Sequence, residues 1–216
     1  MKSESPPSGP STAQASTSSS DVSRGDRPSL MRIPASRYFV FLTLAISGAI
    51  ADLWTKEAIF RWRGLPGQAD IWWLIEGYVG VETAVNIGAV FGLGAGQGVW
   101  FAGLSIVAAI AIFVWLFYFG AARHWWLTVA MGCVLGGIIG NLYDRLGMWW
   151  TPGLPPEWKS GVRDWILWQA GDNYKWPNFN IADSLLVCGA AMLLWKSFFP
   201  DDDHDAALDA SADDDH

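Results

Sequence analysis

Ionisable and amide side chains flank the long apolar stretches of this sequence, and their spacing places several on shared helix faces. Asp52 and Lys56 are four residues apart, as are Asn141 and Arg145, so each pair would lie on one face of a helix. Charged groups at membrane depth cost about 2.5 kcal/mol or more, and they are retained where they pair or take part in chemistry. Any single pair would also suit a helix cap or anchor. The other members are Asn86, Asp144, Asn180 and Asp183.

Carboxylates are the groups in this set that could carry out catalysis. The segments around them contain no histidine, which excludes a Ser-His-Asp triad, and the HExxH pattern of metal peptidases is absent. Two carboxylates held close share a proton, so the ionised one can activate water while the other polarises a carbonyl. Such a pair hydrolyses a peptide bond without a covalent intermediate. The residues alone leave the choice open among Asp52, Asp144, Asp164, Asp172 and Asp183.

The apolar stretches that must position these residues are long enough to span a membrane. They cover about 38–54, 99–119, 125–142 and 181–199, each near the ~20 residues that cross ~30 Å of hydrocarbon. We therefore predict an all-α membrane protein, a four-transmembrane-helix bundle with its polar residues at one end. Glycines recur every four residues in the third stretch, at 132, 136 and 140, which predicts close packing of this helix.

The composition agrees with a membrane domain between polar tails. Apolar residues make up 51% of the chain and charged residues 16%, whereas soluble domains carry about 25% charged residues. Eight of the 21 acidic residues lie within 200–216, so the net charge of −7 arises from this tail. The sequence has no basic patch that would indicate nucleic-acid binding. We predict disorder in an N-terminal tail, 1–34, and in the acidic tail. Cys133 and Cys188 are interpreted as small buried apolar residues.

Basic residues set the predicted orientation of the bundle. Arginines precede the first stretch, and Arg123 and His124 lie between the second and third, which favours cytoplasmic termini. The long connections, about 57–97 and 146–178, would then face outward, although they also carry basic residues. An alternative for the first stretch is a cleavable signal peptide ending at 49–51 (Ala-Ile-Ala).

Five short motifs, in order along about residues 38–199, resemble those of lipoprotein signal peptidases, also called signal peptidase II. The order and the placement on four predicted spans make the combination specific, although each motif alone is weak. The matches are Asp52 to Lys56 with the family's Asp and Lys four residues apart, 86–91 with NxGAAF, 136–145 with GGxxGNxxDR, 161–165 with GxVxDF, and 179–184 with FNxADS.

The sequence departs from the family pattern at several positions. Leu53 stands where Gln is common, Val90 replaces an Ala, and Trp165 replaces a Phe. About ten extra residues follow Arg145, within 146–160, before the GxVxDF motif. This insertion bears on which aspartate occupies the first catalytic position.

The resemblance implies that Asp164 and Asp183 are the catalytic pair of an aspartic endopeptidase. Asp172 is the alternative to Asp164, but its Gly-Asp-Asn context is typical of a turn. The family cleaves signal peptides from bacterial prolipoproteins just before a Cys that carries a diacylglyceryl group, and it needs no cofactor or metal. The implied supporting residues are Asn141, Arg145 and Asn180 for positioning the pair and the substrate backbone, Asp52 and Lys56 for stabilising the site, and Asn86 and Gly88 for contacting substrate or shaping the first outer segment.

The resemblance also implies a location and partners. We expect a multi-pass protein of the bacterial inner membrane, a monomer that contacts lipids and diacylglyceryl-modified prolipoproteins, with its site at the outer leaflet. A small extended (β) outer segment and a short amphipathic segment would come from about 57–97 and from the insertion at about 146–160. Two other classes remain as alternatives: a small transporter, whose polar residues would line the whole path, and a non-catalytic scaffold for lipoprotein precursors.

Overall fold

The computed structural model describes residues 33–88, 94, 96–171 and 174–199. The predicted disordered tails, 1–34 and 200–216, lie outside these ranges except for Ile33 and Pro34. Asp172 and Val90 also lie outside the described residues, so their sequence-based assignments stay predictions.

Four long helices form the body of the protein. They are α1 (Ala35–Arg63), α2 (Gly98–Phe113, continued by a π-helical turn at Val114–Tyr118), α3 (Trp125–Arg145) and α4 (Ile181–Phe198). All four are long and apolar enough to cross a membrane. Their outward faces carry large exposed apolar side chains, as expected for surfaces that contact lipid. The predicted bundle is therefore confirmed.

The first helix is longer than its apolar stretch. Its 29 residues span about 43 Å at 1.5 Å per residue, compared with about 30 Å of hydrocarbon. The last two turns therefore project beyond the apolar layer at the end where α2 begins and α3 ends. This projection carries Glu57 and Phe60, which contact Arg163 and Trp149 outside the bundle, and Arg61, which pairs with Glu57 on the same helix.

Glycines allow α3 to pack closely on both α1 and α4. A methyl group on Gly136 would meet the Ala45 carbonyl oxygen at 3.1 Å, and one on Gly137 would meet the Ala182 carbonyl oxygen at 2.5 Å. Side chains at these positions would push the helices apart, so the close packing predicted from the glycine spacing is confirmed. At the opposite end of the bundle, an apolar core joins the helices through Phe41, Leu116, Ala122 and Met131.

A small antiparallel sheet covers the polar end of the bundle. Its strands, in spatial order, are β1 (Trp72–Ile75), β2 (Val79–Asn86), β3 (Val162–Ala170) and β4 (Tyr174–Lys175). The prediction of extended structure within 57–97 is confirmed.

The second half of the sheet comes from a segment that the sequence analysis did not assign to strands. The insertion, 146–160, forms turns and a 3₁₀ helix at Pro156–Ser160, and β3 follows it. Strand β3 lacks the alternation of polar and apolar residues that marks a half-buried strand, because both of its faces are covered near its start.

Candidate active site

A buried lysine connects the first and third helices at the polar end. The Lys56 ammonium lies 2.6 Å from an Asp52 carboxylate oxygen and 3.3 Å from one of Asp144, and it donates to the Asn141 side-chain oxygen at 3.0 Å. Asp52, Lys56 and Asp144 are fully buried. The other Asp52 oxygen accepts a hydrogen bond from the Ala182 backbone N–H at 2.9 Å. These contacts fix α1, α3 and the start of α4 relative to one another.

The start of α4 is a capping box that holds Asp183. Asn180 has extended backbone, and its side-chain oxygen accepts from the Asp183 N–H at 2.8 Å. In return, an Asp183 carboxylate oxygen accepts from the Asn180 N–H at 3.2 Å. This reciprocal arrangement satisfies two backbone donors that a helix start leaves free. It also fixes the direction in which the Asp183 carboxylate points.

Two amide side chains link Asp183 to Asp164. The Asn180 NH₂ group donates to an Asp164 carboxylate oxygen at 2.7 Å and to the Asn141 side-chain oxygen at 3.1 Å. Asn141 in turn donates to the Asp183 carboxylate at 2.8 Å. The Asn141 oxygen accepts from both Lys56 and Asn180, so its NH₂ group must face Asp183. With Lys56, five sequence-predicted residues therefore form one continuous network.

Asp164 lies on β3, opposite Ala84 of β2, with only 2% of its surface exposed. Burial, and then the negative charge of Asp183, raise the pKa of Asp164 well above its ordinary value. The Lys56 cation and the hydrogen bond from Asn180 act in the opposite direction, but they do not outweigh burial. The Asp164 carboxyl group therefore keeps its proton to a higher pH than an ordinary aspartate does.

Both carboxylates face a cavity of about 870 Å³ that runs from the sheet down the side of α4. Aromatic residues of the outer segments and apolar residues of α4 supply most of its wall. The cavity reaches Val187 and Cys188, which are exposed on the outer face of α4, so the interpretation of Cys188 as a buried residue is wrong. A chain held in the adjoining apolar layer could therefore reach the carboxylates from the side. Its polar lining consists of Asn86, Asn141, Arg145, Asp164, Asn178, Asp183 and Ser184.

Arg145 and Asn86 organise the outer segments around the cavity. The Arg145 guanidinium donates to the Asn86 and Ser160 carbonyl oxygens at 3.3 and 3.0 Å, and also to the Gly88 carbonyl oxygen. The Asn86 side-chain oxygen accepts from the Gly88 N–H at 3.0 Å. These contacts favour the role of shaping the outer segments, and direct action of Arg145 on the carboxylates stays a prediction.

The sequence analysis missed a buried ion pair between Asp144 and Arg163. Asp144 was among the five aspartates considered, but both of its carboxylate oxygens accept hydrogen bonds from Arg163. One oxygen accepts from the Arg163 backbone N–H at 2.9 Å, and the other accepts from a guanidinium nitrogen at 2.9 Å. A signal was available, because Arg163 directly precedes Asp164. Neighbouring residues of a strand point to opposite faces. Because Asp164 faces the cavity, the buried Arg163 side chain points away from it and needs an anionic partner on that side.

Within the described ranges, no three His, Cys, Asp or Glu side chains cluster so that they could hold a metal ion. Among the five aspartates considered from the sequence, Asp52 and Asp144 are paired with buried cations away from the cavity. Of the four that the structure describes, Asp164 and Asp183 face it.

Comparisons with known proteins agree with this architecture. Residues 44–199 match the family model of signal peptidase II. The lipoprotein signal peptidase of Rhodopirellula baltica is 72% identical over 165 residues, which are 76% of this chain and 74% of that protein. The lipoprotein signal peptidase of Symbiobacterium thermophilum is 32% identical over 154 residues, 70% of this chain and 90% of that protein.

A solved structure of a bacterial membrane enzyme has the same fold, with a TM-score of 0.60 and 26% identity over 76% of this chain and 92% of that chain. A second such structure gives a TM-score of 0.59 at 25% identity. The family match covers most of the chain, and four apolar helices make it a multi-pass membrane protein. The chain therefore belongs to the signal peptidase II family.

Proposed function

We propose that this protein cleaves prolipoprotein signal peptides with a water molecule activated by Asp164 and Asp183. The observation that carries the proposal is the convergence of two carboxylates, one on β3 and one on α4, at a single cavity. Asn141 and Asn180 connect them in one hydrogen-bonded network. The membership of the chain in the signal peptidase II family supports the same reaction.

The two carboxylates have different environments, which suits them to different roles. Asp164 is more deeply buried and has a raised pKa, so it holds the shared proton in the resting enzyme. Asp183 then takes a proton from water as the water attacks the scissile carbonyl. Asp164 donates its proton to the carbonyl oxygen. When the tetrahedral diol collapses, Asp183 gives its proton to the leaving amine, and a diol hydroxyl returns a proton to Asp164 as the carboxylic acid product forms.

The supporting residues keep this pair in place. Asn141 and Asn180 orient the carboxylates through the hydrogen bonds described above. Asp52 and Lys56 hold α1 against α3, which carries Asn141, and against the start of α4, which follows Asn180. Arg145 holds the outer segments through the backbone of Asn86 and Gly88. In this proposal the segments thereby form the wall against which the substrate backbone lies.

The substrate that suits this cavity has an apolar anchor on each side of a short polar segment. A signal peptide helix and a diacylglyceryl group both reside in the hydrocarbon layer, and the cavity extends down α4 toward that layer. We infer that a diacylglyceryl-modified Cys enters from the side and presents the bond just before it to the carboxylates. The apolar wall near Leu186 and Val187 would contact the lipid chains.

We infer that the protein lies in the inner membrane with cytoplasmic termini and acts as a monomer. The basic residues before the first span and between α2 and α3 support this orientation. It places the sheet and the cavity at the outer leaflet, where a precursor's signal peptide ends after export.

Replacement of either carboxylate tests the proposal. Asp164→Asn keeps an oxygen for the hydrogen bond from Asn180, and Asp183→Asn keeps an oxygen for one of the two hydrogen bonds that the carboxylate accepts, so the folded structure should persist. We expect each variant to lose on the order of 10³-fold or more in turnover. The matched control is Asp70→Asn, which changes an exposed aspartate outside the cavity.

The assay is cleavage of a diacylglyceryl-modified precursor by purified protein in detergent, with the shortened product separated on a gel. The same precursor without the lipid tests the substrate assignment, and we expect little cleavage of it. Near-normal turnover by either Asn variant would refute the catalytic pair, while equal cleavage of both precursors would refute only the lipid requirement.

A further inference from the structure

Arg163 is the second residue of β3, immediately before Asp164, and is only 3% exposed. Its backbone N–H donates to one Asp144 oxygen at 2.9 Å, and its guanidinium donates to the other at 2.9 and 3.2 Å. Asp144 belongs to the end of α3, next to the segment that supplies Asn141. The arginine therefore fastens the start of β3 to α3 through both main chain and side chain.

A second layer of contacts surrounds the same guanidinium. Its remaining terminal nitrogen donates to Glu57, on the projecting end of α1, at 3.1 Å. The rings of Trp149 and Phe60 lie 5.4 and 5.9 Å from the guanidinium carbon, within the range of cation–π attraction. Trp149 comes from the insertion and donates to the Gly161 carbonyl oxygen at 2.9 Å.

We propose that Arg163 is a positioning residue that sets the placement of Asp164 for the reaction, with the insertion and the projection of α1 as its outer supports. This inference rests on the proposed catalytic role of Asp164. The two residues are adjacent on one strand and face opposite sides, so a shift of the Arg163 backbone moves the Asp164 carboxylate with it. Displacement of a reacting group by about 1 Å can cost roughly 100-fold in rate.

The pattern of contacts distinguishes positioning from simple support of the fold. Arg163 lies away from the cavity and Asp164 faces it, so loss of the arginine should change the geometry of the reaction without removing a substrate contact. Asp144 also pairs with Lys56 at 3.3 Å, so without Arg163 its carboxylate keeps only one cation. The expected signature is a fall in kcat with KM preserved.

The test compares Arg163→Met and Arg163→Lys with Arg61→Met, using the diacylglyceryl-modified precursor and full-length protein in detergent. Arg61 binds the same Glu57 carboxylate at 2.7 Å but is exposed and contacts neither β3 nor Asp144 in the described structure. We expect Arg163→Met to lower kcat about 100-fold with KM within about twofold. Arg163→Lys should recover about tenfold of that loss, since an ammonium can pair with Asp144 but lacks the fork of the guanidinium. Arg61→Met should match the unmodified protein.

Two milder variants cover the case in which Arg163→Met does not fold. Glu57→Gln removes the negative charge from the ion pair with Arg163. Trp149→Phe keeps an aromatic ring but loses the hydrogen bond to the Gly161 carbonyl oxygen. Each should lower kcat about threefold without changing KM, in proportion to a single lost contact.

Several results would overturn the proposal. These are an unchanged kcat in Arg163→Met, a rise in KM with kcat preserved, or, if that variant does not fold, an unchanged kcat in both milder variants. Asp164→Asn is measured alongside. If it is inactive while Arg163→Met is normal, only the positioning role fails, whereas an active Asp164→Asn refutes the proposed function itself.

Discussion

Replacing Gly140 with alanine should lower both stability and turnover, because the added methyl group overlaps the Asp52 carboxylate. The new Cβ atom would lie 2.9 Å from Asp52 Cγ and 3.1 Å from Asp52 Cβ, and closer still to one carboxylate oxygen. Asp52 cannot move aside freely, since one oxygen lies 2.6 Å from Lys56 and the other accepts from Ala182 at 2.9 Å. The helices themselves must therefore separate.

The cost follows from this overlap. Forcing one extra carbon into a well-packed interior costs about 1–3 kcal/mol. In a chain of 216 residues, each kcal/mol lowers Tm by about 2–4 °C. Turnover should fall as well, because a displaced Asp52 weakens the hold of Lys56 on Asn141, which orients Asp183.

Gly103→Ala is the matched control, since Gly103 lies on the exposed face of α2 and a methyl group there meets nothing within 4 Å. Thermal unfolding of the detergent-solubilised proteins and cleavage of the lipidated precursor are the two measurements. If Gly140→Ala matches Gly103→Ala in both, the close approach of α3 to Asp52 is not what holds the site together.

Two further predictions concern pH and orientation. The raised pKa of Asp164 means that the folded protein retains a proton that the unfolded chain has lost, so this carboxyl group costs stability as pH rises from its ordinary value toward the raised one. Asp164→Asn should therefore gain in Tm over the unmodified protein as pH rises through that window, and parallel Tm curves would contradict the assignment. If the termini are cytoplasmic, a tag at the C-terminus should resist protease added to intact spheroplasts and be lost once the membrane is opened. Loss of the tag from intact spheroplasts would indicate the opposite orientation.

The helices and half of the site follow from local features of the sequence. Hydropathy marks the spans, and four-residue spacing is enough to place Asp52 beside Lys56 and to predict the contacts of the α3 glycines. Asp183 is equally local, because an Asn three residues before an Asp at the start of an apolar stretch is a capping pattern.

The remaining half depends on pairing between distant segments. Asp164 reaches the cavity through the register of β3 against β2, about 80 residues earlier in the chain, and the short motif around it does not specify that register. The insertion before β3 separates the strand further from α3. Residue types alone therefore left Asp172 as an alternative, and the pairing of Arg163 with Asp144 and Glu57 went unpredicted.

The charges at the polar end give an independent reason for a shared proton. Among the described residues, the network around the cavity contains the cations Lys56, Arg145 and Arg163 and the carboxylates Asp52, Asp144, Asp164 and Asp183, whereas the half-buried Arg63 and Glu82 bind other partners. Three positive charges face four negative ones, and an uncompensated charge in a buried site is costly. One proton on the carboxylates balances the cluster. Asp52 and Asp144 lie against cations within 3.3 Å, so we assign that proton to the pair at the cavity, where the proposed reaction needs both an acid and a base.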